Sequence, residues 1–224
     1  TNGVGIGLTR LNSDGSVDES FKLAAGVVFQ PGALALQSDG RILVGSPDQS
    51  AESAFQKPPL ARLHSDGTLD TSFAAQLHPS HFIRQIVLRG DGKILVGGEG
   101  FAALNSDGSI DQILQGALSE SGPTTAIAVQ RDGKLLKGFG DPSCCGKPNP
   151  DVGVLRLNMD GSRDSTFKTR VGFTSEMAAN GNEPEVMMIF PQANGQIVIA
   201  GEFDLVNGMP RRFVARLNSA GSLD

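Results

Sequence analysis

Two short motifs alternate along this chain, and their repetition constrains the fold more than any other feature of the sequence. The first motif reads LNSDGSVD from Leu11 and returns in similar form from Leu63, Leu104, Leu157 and Leu217. The second reads LQSDGRILVG from Leu36 and returns from Leu88, Val129 and Pro191. The central glycines of the first motif are spaced by 52, 41, 53 and 60 residues, and those of the second by 52, 41 and 62. Because the two sets of spacings change in parallel along the chain, each pair of motifs is one structural unit.

Each motif is predicted to be a β-hairpin. A short aliphatic run leads into Asp-Gly or Asn-Gly, and a second short run follows. These dipeptides supply the positive φ angles of a two-residue type I′ turn, whose twist matches that of the strands it joins. Two hairpins per unit give four strands, A to D, which in the first complete unit are expected at Ala33–Gln37, Arg41–Gly45, Leu60–His64 and Gly67–Phe73. With no capped helical periodicity, the sequence predicts an all-β fold, a β-propeller of about four four-stranded blades.

The pairing of xLQxDGKILVGG with RLNxDGSLDxSF resembles the bacterial delta-60 repeat, a β-propeller repeat of large exported or surface proteins. The resemblance covers essentially the whole chain. It implies a propeller in an extracellular, cell-surface or periplasmic setting, and it brings no known catalytic residues. Two departures are local. Leu114 stands where Phe21, Phe73 and Phe167 end the motif in other copies, and Ala220 replaces the turn aspartate.

The repeat predicts a single propeller domain over residues 1–224. Its units run roughly over 22–73, 74–114, 115–167 and 168–224, with 1–21 as a partial unit. Five C motifs accompany four A–B pairs, which leaves an unfinished blade with an unpaired edge. Three interpretations are open: the ring closes by pairing Ser16–Phe21 antiparallel to Phe213–Asn218, the terminal strands self-associate with a neighbouring molecule, or the chain is a fragment of a longer repeat array. Internal closure is favoured, because it removes the open edge within one chain.

Composition limits the partners. The formal net charge of −5 lacks the concentrated basic surface that nucleic-acid binding requires, so no nucleic-acid partner is expected. No apolar run approaches 18 residues, so no membrane span is expected. Trp and Tyr are both absent, which disfavours sugar platforms and base stacking. No cofactor motif is present either, so no cofactor is predicted.

The connections between strands divide into two classes that emerge on opposite faces of the predicted propeller. The A–B and C–D connections are tight Asp-Gly turns, whereas the longer connections fall in the other class: Ser46–Pro59, Ala74–His81, Gln115–Pro123, Gly138–Asp151, Lys168–Pro184 and Glu202–Arg211. Variable loops on a rigid scaffold are where binding usually resides. We therefore expect an unidentified ligand or protein partner on the long-loop face, where the candidate binding residues are Arg84, Glu99, Phe101, Arg211 and Arg212.

The repeated aspartates, such as Asp14 and Asp18, admit either a calcium site or a hydrogen-bonded turn. Their spacing does not match an EF-hand, so the turn is favoured and no metal site is predicted. Cys144 and Cys145 are adjacent and could form a vicinal disulfide or remain two free thiols; an exported protein favours the disulfide. His64 is interpreted as a turn residue, and His78 and His81 as surface loop residues.

The sequence favours a non-enzymatic exported module that serves adhesion, surface architecture or assembly. It contains no GxSxG elbow, HExxH helix or P-loop. The alternative is a hydrolase or lyase with a site on the long-loop face, because a propeller can assemble such a site from loops distant in sequence. A cluster of hydrogen-bonded carboxylates or histidines there would favour the enzyme.

Overall fold

The computed structural model describes residues 7–23, 31–46, 58–78, 82–98, 100–114, 124–139, 153–172 and 184–224. Across these ranges the chain forms fifteen β-strands and one helical turn at 112–114. The strands assemble into four antiparallel sheets, numbered 1 to 4 along the chain. The all-β prediction is therefore confirmed.

Three sheets have three strands each. Sheet 1 contains β1 (Ala33–Leu36), β2 (Ile42–Gly45) and β3 (Leu60–Leu63). Sheet 2 contains β4 (Ile83–Leu88), β5 (Ile94–Gly98) and β6 (Phe101–Leu104). Sheet 4 contains β11 (Glu185–Pro191), β12 (Ile197–Glu202) and β15 (Val214–Leu217).

Sheet 3 is longer and runs to six strands. Its first three are β7 (Thr124–Val129), β8 (Leu135–Phe139) and β9 (Gly153–Leu157). It continues outward through β10 (Thr169–Gly172), β13 (Leu205–Val206) and β14 (Met209–Pro210). The order across the sheet is β7-β8-β9-β10-β13-β14, so a hairpin from the fourth unit extends the third sheet.

Successive sheets pack face to face. The first strands of successive sheets are neighbours, β1 beside β4, β4 beside β7 and β7 beside β11, so they are the inner strands. Alternate residues of each sheet point into the two adjoining seams. Between sheets 2 and 3, Leu95 and Ala103 pack with Ile127, Leu135 and Leu157. This radial stacking of antiparallel sheets is the propeller arrangement that the sequence predicts.

The Asp-Gly turns contain the predicted positive φ at glycine, but the type I′ assignment is wrong. At the turn of β4 and β5, the Gly92 N–H donates to the Arg89 carbonyl and the Arg89 N–H donates to the Lys93 carbonyl, at 3.0 and 2.9 Å. Gly92 has φ +84°, whereas no positive φ occurs at Asp91. This is a type I turn closed by a glycine in the left-handed region, a three-residue loop. The same bond pattern recurs at the other Asp-Gly turns.

The predicted D strand, Gly67–Phe73, is not a strand. It makes one bridge to β3, Leu63 with Leu69, and then turns. The Asp70 carboxylate accepts hydrogen bonds from the Ser72 N–H at 3.0 Å and from the Ser72 hydroxyl at 2.5 Å. Local bonds from a side chain to the backbone compete with a strand ladder, and here they bend the chain. The prediction of four-stranded blades is therefore wrong for sheets 1, 2 and 4, which have three strands each.

The N-terminal segment does not close the ring onto β15, as one interpretation predicted. Val17 bridges Leu11, while β15 pairs with β12 and bridges Leu223 through Leu217. The segment packs instead on sheet 1, where the Lys22 N–H donates to the Asp66 carbonyl at 2.9 Å. The Gln76 N–H bond to the Gly108 carbonyl and the Lys168 N–H bond to the Ala220 carbonyl are the equivalent contacts in two later units.

A recurring polar contact, here called the latch, joins three of the C motifs to the following unit. In the first complete unit the Arg62 guanidinium donates to Asp70 at 2.8 Å and to the Ser106 carbonyl of the next unit at 2.7 Å. The same guanidinium lies 4.5 Å from the centre of the Phe73 ring. Equivalent latches are built on Arg10 and Arg156.

The second unit has a different latch. Ala103 stands at the arginine position and Leu114 at the phenylalanine position, so both partners of the cation–π contact are replaced together. Arg89, from the turn between β4 and β5, donates to the Met159 carbonyl of the next unit at 3.3 Å. Lys93 lies 2.5 Å from Asp111 and takes over the ion pair. The link between units is thus kept with different side chains.

Candidate functional site

The inner strands carry a β-bulge near their first residues in sheets 2, 3 and 4. The pairing shifts between Ile83 and Gln85, between Thr124 and Ala126, and between Val186 and Met188. The extra residues are Arg84, Thr125 and Met187. A bulge re-aims a side chain, and bulges are frequent next to binding sites.

These bulges lie on the long-loop side of the propeller. The Ile83 N–H, at the start of β4, donates to the carbonyl of Ser46 at 2.7 Å, and Ser46 is where the long connection after β2 begins. The bulged residues therefore lie near the same end of three successive inner strands, a region here called the channel mouth. Arg84 is exposed and Met187 is 50% exposed.

Polar contacts hold neighbouring inner strands together beside the bulges. The Gln85 amide donates to the Ile127 carbonyl at 2.9 Å and accepts from the Ile127 N–H at 2.6 Å, which joins sheets 2 and 3. The Thr125 hydroxyl donates to the Val186 carbonyl at 2.5 Å, which joins sheets 3 and 4. The channel mouth thus has a fixed backbone and a different side chain from each of these sheets.

The sequence-predicted residues are dispersed. Arg84 lies at the channel mouth, and Glu99 falls outside the described residues. Phe101 is only 7% exposed and packs in the seam between sheets 2 and 3, so it belongs to the core there. Arg211 and Arg212 are both exposed and follow β14. The sequence analysis did not identify Thr125, Met187 or the hydrogen bonds between Gln85 and Ile127. The bulges are visible only in how the strands pair, which the sequence pattern does not specify.

The connection Glu202–Arg211 is a hairpin instead of an irregular loop. Asn207 and Gly208 have φ of 50° and 79°, so they form the type I′ turn that joins β13 to β14. The Arg211 N–H donates to the Asp204 carbonyl at 2.8 Å. The hairpin thereby places Arg211 and Arg212 at the end of sheet 3's outer extension.

The repeated aspartates serve the turns. The Asp14 carboxylate accepts from the Ser16 hydroxyl at 2.7 Å and from the Ser16 N–H at 2.9 Å. These two bonds, the hydroxyl bond above all, hold the pKa of Asp14 below its usual value. Within the described ranges, no three His, Cys, Asp or Glu side chains are arranged to hold a metal ion.

The histidines and cysteines add no described site. The backbone N–H of His64 donates to the Thr68 carbonyl at 2.8 Å, as expected of a turn residue. His78 is described, whereas His81, Cys144 and Cys145 lie outside the described residues. In the part of the chain that the structure describes, no helix has the length and apolar character needed to cross a membrane.

A disulfide between Cys144 and Cys145 stays a prediction. Because the chain has no other cysteine, a bond between these two adjacent residues is the only disulfide that can form within the chain. Intact-mass measurement after alkylation without reductant should show no added alkyl group, and a reduced sample should show both sites labelled. Two alkyl groups on the unreduced protein would contradict the disulfide.

Comparison with known families identifies the repeat. A family model described as a domain of unknown function (DUF5122) beta-propeller matches residues 2–21, 37–73, 145–167 and 192–224. The chain belongs to this family. The matched stretches contain the Asp-Gly turns at Gly15, Gly40, Gly67 and Gly161 and the latch arginines Arg10, Arg62 and Arg156, so the DUF5122 pattern coincides with that part of the scaffold. No curated protein matches the chain.

Solved structures resemble this DUF5122 propeller at low identity. A protein of unknown function from Bacteroides caccae is 17% identical with a TM-score of 0.54, covering 95% of this chain and 71% of that one. The WD40 beta propeller domain of Doa1 is 13% identical with a TM-score of 0.54, covering 86% and 53%. The extracellular domain of the putative one component system BT4673 from B. thetaiotaomicron is 13% identical with a TM-score of 0.50, covering 90% and 23%. These likenesses establish the propeller fold.

Proposed function

We propose that this DUF5122 propeller is a non-enzymatic binding module of an exported protein, and that it holds its partner at the channel mouth. The observation that carries the proposal is the set of bulges that aim Arg84, Thr125 and Met187 from three adjacent sheets. The Arg84 cation and the exposed Met187 thioether are the groups offered to a partner, while the Thr125 hydroxyl, which donates to the Val186 carbonyl, holds sheets 3 and 4 together beside them. They do not form an acid–base pair for catalysis.

The use of the repeat's polar residues supports the same proposal. The Asp70 and Asp164 carboxylates accept hydrogen bonds from their own turns and from latch arginines. A catalytic role for these repeated aspartates would require them to give up hydrogen bonds that hold the units together. Function therefore belongs to positions where the units differ, and the channel mouth is one of these.

The exported setting rests on the resemblance to the delta-60 repeat, which we propose as the kind of repeat present here. The structural likeness to an extracellular domain is compatible with that setting. Adhesion, surface architecture or assembly are the roles that such a module would serve. Self-association also stays a prediction. It is supported by two exposed apolar side chains on sheet 4. Met188 and Val214 lie on either side of Ala200 in neighbouring strands, and they are 54% and 55% exposed.

The proposal predicts that binding depends on Arg84. Labelled protein is applied to an array of peptides and glycans, and every ligand found is measured again with Arg84→Ala. We expect the affinity to fall by about tenfold or more, because a charged contact is removed at the mouth. Arg131→Ala is the matched control, since Arg131 is exposed in a tight turn on the opposite face.

Two outcomes would contradict the proposal. Equal affinity of the parent, Arg84→Ala and Arg131→Ala proteins would place the partner elsewhere. Turnover of glycan or ester substrates by the parent, abolished by Arg84→Ala, would assign the hydrolase or lyase alternative.

A further inference from the structure

The face of sheet 4 that points away from sheet 3 has an apolar pattern, yet it is exposed. Met188, Ala200 and Val214 stand in one row across β11, β12 and β15, and Phe190 and Val198 stand side by side in the next row. Met188, Phe190 and Val214 are each more than half exposed. A contiguous apolar face of this kind marks an interaction site.

The equivalent face of sheet 3 shows what such a face contacts. Counted from the glycines of their turns, Ala126 and Val154 of sheet 3 stand at the positions of Met188 and Val214 in sheet 4. Ala126 and Val154 are 1% and 2% exposed, because they pack against the following sheet. In the part of the chain that the structure describes, sheet 4 therefore has the face of an internal seam without a sheet that covers it.

Sheet 1 exposes the opposite kind of seam face. Leu34 points away from sheet 2 and is 49% exposed, and Leu36 on the same face of β1 is 70% exposed. The side chains at the position of Leu34 in the next three inner strands are 8%, 2% and 6% exposed and belong to the seams with the preceding sheets: Ile86, Ile127 and Ile189. Leu34 thus stands at a position that a preceding sheet buries.

The N-terminal segment, residues 7–23, covers only the outer part of this face of sheet 1. Leu8 and Leu23 pack against Val44 of β2 and Leu63 of β3. The inner strand β1 stays exposed beside them. A complete sheet in the same place would cover β1 as well, so the segment is a smaller cover than the one that the internal seams have.

The N-terminal segment and the end of sheet 4 carry the same motif. Arg10 and Arg216 both precede Leu-Asn-Ser, and they donate to Asp18 at 2.8 Å and to Asp224 at 2.6 Å. Arg10 also donates to the Ser65 carbonyl of the following unit. The Arg216 side chain is 55% exposed and donates to no described residue of another unit. Arg216 is therefore a latch arginine that lacks its following unit in the described chain.

We propose that two copies of this chain associate head to tail, and that sheet 4 of one copy replaces the N-terminal segment on sheet 1 of the other. Arg216 then donates to the Ser65 carbonyl of the second copy in place of Arg10. The exposed side chains of sheet 4 pack over Leu34 and Leu36, which the segment leaves uncovered. This additional apolar burial favours the exchange.

The exchange of equivalent elements between two copies is a low-cost route to a dimer. Two copies joined at both ends contain eight sheets, since each copy has four, and propellers have about four to eight blades. The inference deepens the self-association proposed above and rests on that part of the proposed function. It uses none of the bulged residues of the channel mouth.

Sedimentation velocity of the whole chain across a dilution series tests the contact. We expect a monomer–dimer equilibrium that Met188→Glu and Leu34→Glu each weaken by at least about tenfold, because each places a carboxylate in the apolar contact. Met209→Glu is the matched control and should associate as the parent does, since Met209 is 55% exposed on β14, outside both faces. All three variants should keep the parent's melting temperature, because the replaced side chains are exposed.

A mixture of the Met188→Glu and Leu34→Glu proteins tests the head-to-tail direction. The mixture contains one intact pair of faces, sheet 4 of the Leu34→Glu protein with sheet 1 of the Met188→Glu protein, so dimers should reappear. A contact of sheet 4 with itself would instead leave Leu34→Glu as dimeric as the parent, which would overturn the proposal.

A further variant tests the exchange with the N-terminal segment. Arg10→Gln removes the charged contact that holds the segment to the Ser65 carbonyl, so it should tighten the dimer by about fivefold. Hydrogen exchange gives a second readout. The Lys22 amide, which donates to the Asp66 carbonyl at 2.9 Å, should lose protection at concentrations where the dimer forms.

The proposal is overturned if the chain is monomeric at every concentration, if Met209→Glu weakens association as much as Met188→Glu, or if the mixture stays monomeric. An Arg10→Gln protein that associates no more tightly than the parent would overturn the exchange. Arg84→Ala should associate as the parent does, so a failure of this contact is distinguishable from a failure of binding at the channel mouth.

Discussion

Replacing Asp164 with alanine is expected to lower the free energy of unfolding by about 3–5 kcal/mol, because a buried guanidinium would lose its carboxylate. Asp164 and Arg156 form an ion pair of 2.9 Å whose side chains are 6% and 9% exposed. The carboxylate also accepts from the Thr166 N–H and hydroxyl, at 3.0 and 2.5 Å. Alanine removes all these bonds together, so both the latch and the turn are weakened.

Urea unfolding followed by circular dichroism measures this loss. Asp160→Ala is the matched control, because Asp160 is exposed and bonds only with its own turn through Ser162. It should be clearly less destabilising. The double variant Arg156→Met with Asp164→Ala should regain part of the lost stability, since no unpaired charge is then buried. If Asp164→Ala and Asp160→Ala lower the free energy of unfolding equally, the latch contributes no more to stability than the hydrogen bonds of a single turn.

The latch also predicts how stability depends on pH. Hydrogen bonds from Lys134 and Thr166 hold the pKa of Asp164 well below its usual value of 3.8. The Ser72 hydroxyl bond, followed by Arg62, lowers the pKa of Asp70 to about 2. Because the folded pKa values are depressed, the stabilisation is complete above the unfolded pKa and is lost as pH falls from about 4 towards 2. Asp164→Ala should flatten this part of the curve.

Replacing Gly108 with alanine is expected to destabilise the protein by about 3 kcal/mol, more than the same change at Gly92. Both glycines have positive φ, +94° and +84°, so both variants pay for the left-handed backbone. They differ in surroundings. A Cβ at Gly108 would lie 2.8 Å from the Ala74 carbonyl oxygen, whereas nothing lies within 4 Å of one at Gly92.

Gly92→Ala is therefore the control, with an expected loss of about 1–2 kcal/mol from backbone strain alone. The excess at Gly108 measures the close approach of its turn to the segment leading into the second unit, where the Gln76 N–H donates to the Gly108 carbonyl at 3.0 Å. Thermal unfolding of both variants gives the comparison. If the two variants melt at the same temperature, the Gly108 turn is not tightly packed against the segment that begins at Ala74.

The propeller was predictable because its strongest determinants are local. Asp-Gly, or Asn-Gly at Asn194, at a fixed place in all motifs but the last specifies a hairpin turn, and the aliphatic runs on either side specify a sheet with two buried faces. The positive φ of Gly40 and Gly67 follows directly from those dipeptides. The turn type did not follow, because the aspartate keeps negative φ and a single left-handed glycine closes the loop.

The remaining features depend on contacts between distant residues. The run Gly67–Phe73 has a strand-like pattern, yet Ser72 bonds to Asp70 and redirects the chain. Phe101 follows a predicted loop, but its place opposite Gly97 puts it into a seam. The bulge at Arg84 exists only in the register of β4 and β5. None of these pairings can be deduced from composition or spacing.

The latch has a consequence for how the molecule loses structure. Each arginine reaches only the unit that follows it, so the coupling is between nearest neighbours, as in a one-dimensional array. Opening of one seam then need not propagate to the others. The seam after the second unit lacks the Arg–Phe contact, but the Arg89 bond to Met159 and the two Gln85 bonds to Ile127 cross it instead. Amide hydrogen exchange should therefore show a separate opening free energy for each seam, with no single transition for the whole chain.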